Sequence, residues 1–322
     1  MTTAAAEISS YIPVSLATID PSKVTNFPLF IRDNPETPIR LFRDADYPFE
    51  ADDIERLIDR GVTHLFVTMN DHLRYQQYLR KNFVVIIEDE SLPVKRRFGC
   101  LNEVVRDVLA EVFTRRETAK TVETVRQIAS QTVELICRED VVATDLMHVL
   151  HHDYHTFTHS ANVAYYCLLL GKTSGITDRC DLQQIATGAL LHDVGKLDIP
   201  ESILKKRGRL DDDERSIIEQ HPTIGLRLLM HRDDLSFGQL MMVYQHHERM
   251  DGSGYPVGLS GSGIHPWAQL CAIVDVYEAL TSNRPYRPAL SREEAIAILD
   301  RNADTQLNQG LLQCWKTIIR EA

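Results

Sequence analysis

The chain has 322 residues, 43% of them hydrophobic, and a formal charge of -11. That length accommodates one large or two ordinary domains, with enough apolar residues to bury a substantial core without disulfides. The acidic balance argues against a long nucleic-acid partner, because polyanion binding draws its affinity from clustered Lys and Arg. No run approaches the ~18 consecutive apolar residues of a membrane span, and the first ten residues lack a basic start followed by an apolar stretch. The six cysteines (Cys100, Cys137, Cys167, Cys180, Cys271, Cys314) are scattered and form no C-x-x-C pair, which suits a reducing compartment. A cytoplasmic protein without a membrane partner is expected.

Residues 1–92 read as a small α/β module. Strand-like segments fall at residues 12–19, 27–32, 39–42, 65–69 and 84–87, with turn residues between them such as Asp33 and Asn34. Helices are suggested at residues 51–60 and 71–80. No catalytic cluster is visible there, since His64 and His72 stand alone. Residues 93–145 form a helical connector. Leu101, Val104, Val105, Val108 and Val112 recur at spacings of three and four, and Val122, Val125, Val133 and Ile136 repeat the theme. Packing on its own domain and pairing in a homodimer both explain that stripe and stay open.

Residues 146–322 read as an all-α domain, so the fold class expected overall is α+β. Helices are predicted at about 157–171, 182–194, 211–219, 223–230, 237–247, 268–281 and 292–300. Ser291 with Glu294 forms a capping box before the last of them.

His and Asp are concentrated in this helical part. His192 and Asp193 close an apolar run and are followed by Gly195 and Lys196. Adjacent helical positions point about 100° apart, so such a pair serves two neighbouring ions more easily than one, with the carboxylate bridging. Further candidates are His159, His221 before Pro222, the doublet His246 and His247, and Asp275 among apolar neighbours. A buried carboxylate there requires a cation, a metal or several donors. Any one of these residues alone is explained by a satisfied core position or a helix cap. Taken together with Lys196 they would need several independent coincidences.

The order His159, His192-Asp193-x-Gly-Lys196, His221, His246-His247-Glu248, Asp251-Gly-Ser-Gly-Tyr-Pro256 and Asp275 resembles the HD-GYP family, a branch of the HD-domain metal phosphohydrolases that degrades cyclic di-GMP. The resemblance covers about residues 146–299. It implies an HD-type helical catalytic domain preceded by a sensory or regulatory module. It also implies that His159, His192, Asp193, His221, His246, His247 and Asp275 are metal ligands, with Asp193 bridging two divalent ions, iron or manganese, around an ionised water. Asp193 and Lys196 are then the catalytic residues. Lys196, Tyr255, Arg284 and Arg287 are expected to contact substrate, the arginines through phosphate or guanine and Tyr255 by stacking on guanine. A packed tyrosine in a tight turn is the other reading of Tyr255.

One departure concerns His155, which stands where some relatives place a Glu that holds a third metal. It could be an extra nitrogen ligand, an outer donor or a surface residue, so a third ion stays open. The function implied is hydrolysis of cyclic di-GMP to linear pGpG, with onward cleavage to GMP open. The alternatives are another cyclic dinucleotide as substrate, or a module that senses the dinucleotide or docks on diguanylate cyclase domains.

Overall fold

The computed structural model describes residues 10–20, 23–34, 36–47, 50–115, 118–138, 156–206, 208–284, 287–303 and 305–321. The chain divides into two compact units, Met1–Asp107 and Val108–Ala322.

The first unit is built on a four-stranded antiparallel sheet of order β1-β4-β2-β3, with β1 at Tyr11–Ser15, β2 at Leu29–Ile31, β3 at Arg40–Arg43 and β4 at His64–Thr68. In β4, Leu65 and Val67 are fully buried while their neighbours are not, the alternation of a strand with one covered face. Helix α1, Ala51–Asp59, lies between β3 and β4 in sequence, and α2, His72–Glu88, follows β4. Tyr75, Tyr78, Leu79, Asn82, Ile86 and Ile87 form the buried face of α2. The Tyr75 and Tyr78 hydroxyls meet Thr18 Oγ1 at 2.9 Å and the Asp20 amide at 2.8 Å, so both rings are buried with their polar ends satisfied.

The apolar run at residues 84–87, expected as a strand, is the last turn of α2. Asn82 and Ile86 lie four residues apart on the buried side, whereas Val85 is 52% exposed. This helical burial pattern overrides the β-branched preference of the run. Helix α3, Val94–Arg115, carries the chain from the first unit into the second.

The second unit is helical. It contains α4 (Thr118–Arg138), α5 (Thr156–Thr173), α6 (Arg179–Leu191), α7 (Asp212–Ile218), α8 (His221–Leu229), α9 (Phe237–Gln245), α10 (Pro266–Thr281), α11 (Arg292–Ala303) and α12 (Gln309–Glu321). Every residue of α5 from Thr158 to Gly171 is buried, so α5 is a central helix with neighbours all round. It packs against α6, α10 and α12. Tyr166, Tyr277 and Trp315 join α5, α10 and α12 through edge-to-face contacts at 5.0–5.7 Å. Among the described residues, no helix is long and apolar enough to cross a membrane.

Candidate metal centre

Helix ends deliver most of the centre. Helix α6 stops at Leu191, so His192 and Asp193 fall on its C-terminal side, and a 3-10 turn, Val194–Asp198, carries Lys196. His221 opens α8 with Pro222 at the position where a missing N–H is harmless. His246 and His247 follow the end of α9. His159 and Asp275 come from the bodies of α5 and α10.

The turn after Asp193 reaches α8 only because residue 195 is glycine. A Cβ there would stand 1.9 Å from the His221 carbonyl oxygen and 2.6 Å from the Gly225 nitrogen. That close approach puts Asp193 between the two groups of imidazoles.

All seven residues named as ligands from the sequence converge. Asp193 Oδ2 lies 3.6 Å from His159 Nε2 and 3.5 Å from His192 Nε2. Its other oxygen, Oδ1, lies 3.3 Å from His221 Nε2 and 3.9 Å from His246 Nε2. Asp275 Oδ1 stands 3.0 Å from His159 Nε2 and 3.9 Å from His192 Nε2, and its Oδ2 is 4.0 Å from His247 Nδ1. Three sets of donor atoms are each compact enough to hold an ion: His159 with His192 and Asp275, His192 with Asp193 and His246, and His221 with His246 and His247.

Four imidazoles are held by their Nδ1 atoms. His192 Nδ1 donates to the Ala189 carbonyl at 2.6 Å, His221 Nδ1 to Ile218 at 2.7 Å, and His246 Nδ1 to Val243 at 3.0 Å and Met242 at 3.1 Å. His159 Nδ1 pairs with the Glu278 carboxylate. Such anchors turn the Nε2 lone pairs inward, the tautomer a metal requires. The His221 and His246 Nε2 atoms then face each other at 3.2 Å. Two lone pairs at that distance repel unless a cation or proton lies near both. His192 Nε2 and Asp193 Oδ1 are buried with no hydrogen-bond partner, a costly arrangement for polar atoms that a bound cation would relieve.

The electrostatics agree. Burial alone would raise the Asp193 and Asp275 pKa values. Lys196, His192 and His221 outweigh it at Asp193, and His159, His247 and His192 do so at Asp275, holding both carboxyls well below the usual range. Burial depresses His192, His246 and His247, the last to about 3, so these rings present free lone pairs at neutral pH. Burial also opposes protonation of His159, but Glu278 and Asp275 outweigh it and raise that imidazole to about 9. A cation at His159 would replace a proton. Imidazole and carboxylate donors without thiolate fit a pair of divalent ions of intermediate hardness.

The remaining residues named from the sequence are more dispersed. Lys196 Nζ reaches Asp193 Oδ2 at 2.5 Å. Tyr255 is half-buried and lies against His247, with ring centroids 4.7 Å apart and planes inclined by 27°. Arg284 Nη2 stands 3.5 Å from Glu278 Oε2. Arg287 donates to the carbonyls of Ala279 at 2.8 Å, Leu280 at 3.1 Å and Pro288 at 3.2 Å, so its guanidinium closes the end of α10. His155 lies outside the described residues.

Two residues to which the sequence assigned no role have structural ones here. Glu278, 2% exposed, also accepts from Asn162 Nδ2 at 3.1 Å and Ser282 Oγ at 2.6 Å. Burial would raise its pKa, but His159, Ser282 and Arg284 bring it down to about 2. Its signal was its place three residues after Asp275 on an apolar helix, hence on the same face. Glu248, 3% exposed, accepts from the amides of Val257, Gly258 and Leu259 at 2.8, 3.0 and 2.9 Å.

A family model described as HD domain matches residues 139–310. A cyclic di-GMP phosphodiesterase of Pseudomonas aeruginosa, PA4108, is 37% identical over 144 residues, which is 45% of this chain and 34% of that protein. The 3'3'-cGAMP-specific phosphodiesterase 1 of Vibrio cholerae is 42% identical over 147 residues, 45% of this chain and 33% of that protein. The cyclic di-GMP phosphodiesterase response regulator RpfG of Xanthomonas campestris is 41% identical over 133 residues, covering 41% and 35%. The matched segments thus span about a third of the length of these curated relatives. Among solved structures, an HDG"Y"P protein of Bdellovibrio bacteriovorus, Bd1817, superposes with a TM-score of 0.71 at 20% identity, covering 96% of this chain and 99% of that one, a likeness of fold. With the family model matching over half of its length, the chain belongs to the HD domain family.

Proposed function

We propose that the helical unit hydrolyses a phosphodiester bond of a cyclic dinucleotide, with cyclic di-GMP as its first substrate and linear pGpG as product; further cleavage to GMP stays open. The observation that carries this reading is Asp193, whose two oxygens face two separate groups of imidazoles. That is the arrangement a carboxylate shared by two ions requires. The activities for which the relatives are named, on cyclic di-GMP and on 3'3'-cGAMP, support the substrate class.

His159, His192, Asp193 and Asp275 would hold one ion, and Asp193, His221, His246 and His247 the other, with iron or manganese the metals we infer. When bound, such a pair supplies Lewis acidity to the phosphate and lowers the pKa of water. The protein's own groups then position the diester. Lys196, with 22% of its side chain exposed, can shift from Asp193 towards a phosphate oxygen and neutralise charge on the leaving group. Arg284 borders the Glu278 side of the centre and suits a second phosphate oxygen. Tyr255 borders the His247 side, where a nucleobase would lie. We assign residues 1–92 a regulatory role and leave a third ion at His155 open.

The test is hydrolysis by protein purified without air and supplied with Fe2+ or Mn2+. Cyclic di-GMP, 3'3'-cGAMP and cyclic di-AMP are followed by chromatography beside Asp193→Ala. We expect pGpG to accumulate, with turnover by the variant at least about 100-fold lower. Wild-type protein that cleaves none of the three, or a variant as active as wild type, contradicts the proposal.

A further inference from the structure

Four of the five imidazoles in the centre are aimed by an Nδ1 hydrogen bond to a carbonyl or carboxylate. His247 is the exception, because no side-chain hydrogen bond of its ring is found among the described residues, and its Nδ1 is 4.0 Å from Asp275 Oδ2. It is also the ring most open to solvent, with 26% of its side chain exposed against 5% or less for the other four. A partly exposed imidazole without a hydrogen-bond anchor is freer to sample several χ2 orientations, and ordering it on a metal costs entropy.

The Tyr255 ring supplies a different restraint. It covers one face of His247 at a centroid distance of 4.7 Å and an inclination of 27°, within the range of offset stacking. The Tyr255 amide also donates to the carbonyl of His247 itself at 3.2 Å, so loop and ligand are joined through backbone and side chain. Gly254 makes that return possible, since a Cβ at this position would lie 2.5 Å from the His247 carbonyl oxygen and 2.5 Å from the Arg249 nitrogen. Glu248 fixes the far side of the loop through the amides of residues 257, 258 and 259. The loop is therefore held at both ends with Tyr255 over His247.

We propose that Tyr255 is a positioning residue for the metal centre: its ring, set in place by Glu248, orients His247 by stacking where the other imidazoles are oriented by hydrogen bonds. This role is distinct from any contact of Tyr255 with a nucleobase. It rests on His247 being a ligand, as read above.

The test is titration of chelator-stripped full-length protein with Mn2+, read as the affinity of each bound ion in competition with a chelator, for wild type, Tyr255→Phe, Tyr255→Ala and Glu248→Ala. Tyr255→Phe keeps the ring, so its affinities should stay within about 3-fold of wild type. Tyr255→Ala should weaken one of the two ions by about 10–100-fold, the effect usual for loss of a ligand-orienting partner, and leave the other ion unchanged. Glu248→Ala should reproduce the direction of that loss, and it serves as the second probe if Tyr255→Ala proves unstable. Two ions bound as tightly by Tyr255→Ala as by wild type, or an equal loss in Tyr255→Phe and Tyr255→Ala, overturns the positioning role. Wild-type protein that takes up fewer than two ions would instead contradict the dinuclear reading itself.

Discussion

Asp193 and Glu278 are both carboxylates with almost no exposure, 1% and 2%, yet their surroundings give them different work. Asp193 Oδ1 has no hydrogen-bond donor, which leaves it available to a cation. Glu278 is enclosed by His159, Asn162, Ser282 and Arg284 and so holds a ring in place. An isolated buried charge costs several kcal/mol, and each residue meets that cost differently. Glu278→Gln retains the shape but removes the negative charge opposite His159. Metal affinity should fall about 10–100-fold while far-UV circular dichroism stays unchanged, and unaltered affinity in a chelator competition would show that Glu278 does not orient the ligand. The seven residues that converge were legible in the sequence because imidazole and carboxylate side chains in apolar runs are chemically conspicuous. The roles of Glu278 and of Glu248, a residue of the motif, were not, since a glutamate is ordinarily a surface residue and only the fold shows what surrounds it.

At the scale of elements, the centre depends on how closely the turn Val194–Asp198 approaches α8. A methyl group at residue 195 would overlap the His221 carbonyl at 1.9 Å, and the other side is backbone, which cannot rotate away. Gly195→Ala should destabilise the protein by about 3 kcal/mol, lowering the Tm by roughly 6–12 °C in a unit of this size. It should also weaken metal retention, because His221 and Asp193 would be pushed apart. A thermal melt within a degree or two of wild type would mean that the approach is looser than described. Most helices of the second unit were readable from sequence, including those that carry His159 and Asp275 and those that end just before His192 and His246. Residues 84–87 were misread because four consecutive β-branched residues satisfy a strand and a helix end equally well, and burial on one side of α2 decides between them. Nothing in local pattern announced that Arg287 would close α10 through three carbonyls, since that contact depends on how the chain turns after Ser282.

Across the whole molecule, the candidate metal ligands are gathered in the second unit, while the first presents a sheet, α1, α2, the start of α3 and no cluster of metal-ligating side chains among the described residues. The cysteines follow the same division between packing and surface. Cys100, Cys167 and Cys271 are fully buried and Cys180 is exposed; burial pushes the Cys100 thiol up to about 12. Alkylation of native protein near pH 8 should modify Cys180 and leave Cys100, Cys167 and Cys271 intact until denaturant is added. Rapid modification of Cys100 in the native state would contradict the packing of α3.

If Asp193 is shared between two cations, as proposed, the count of metal ions per chain reports it. Protein purified without air and loaded with Fe2+ or Mn2+ should contain about two ions per chain, and Asp193→Ala, which removes both carboxylate oxygens at once, should fall below one. A wild-type chain that retains none, or an Asp193→Ala chain that still holds two, would rule out that sharing.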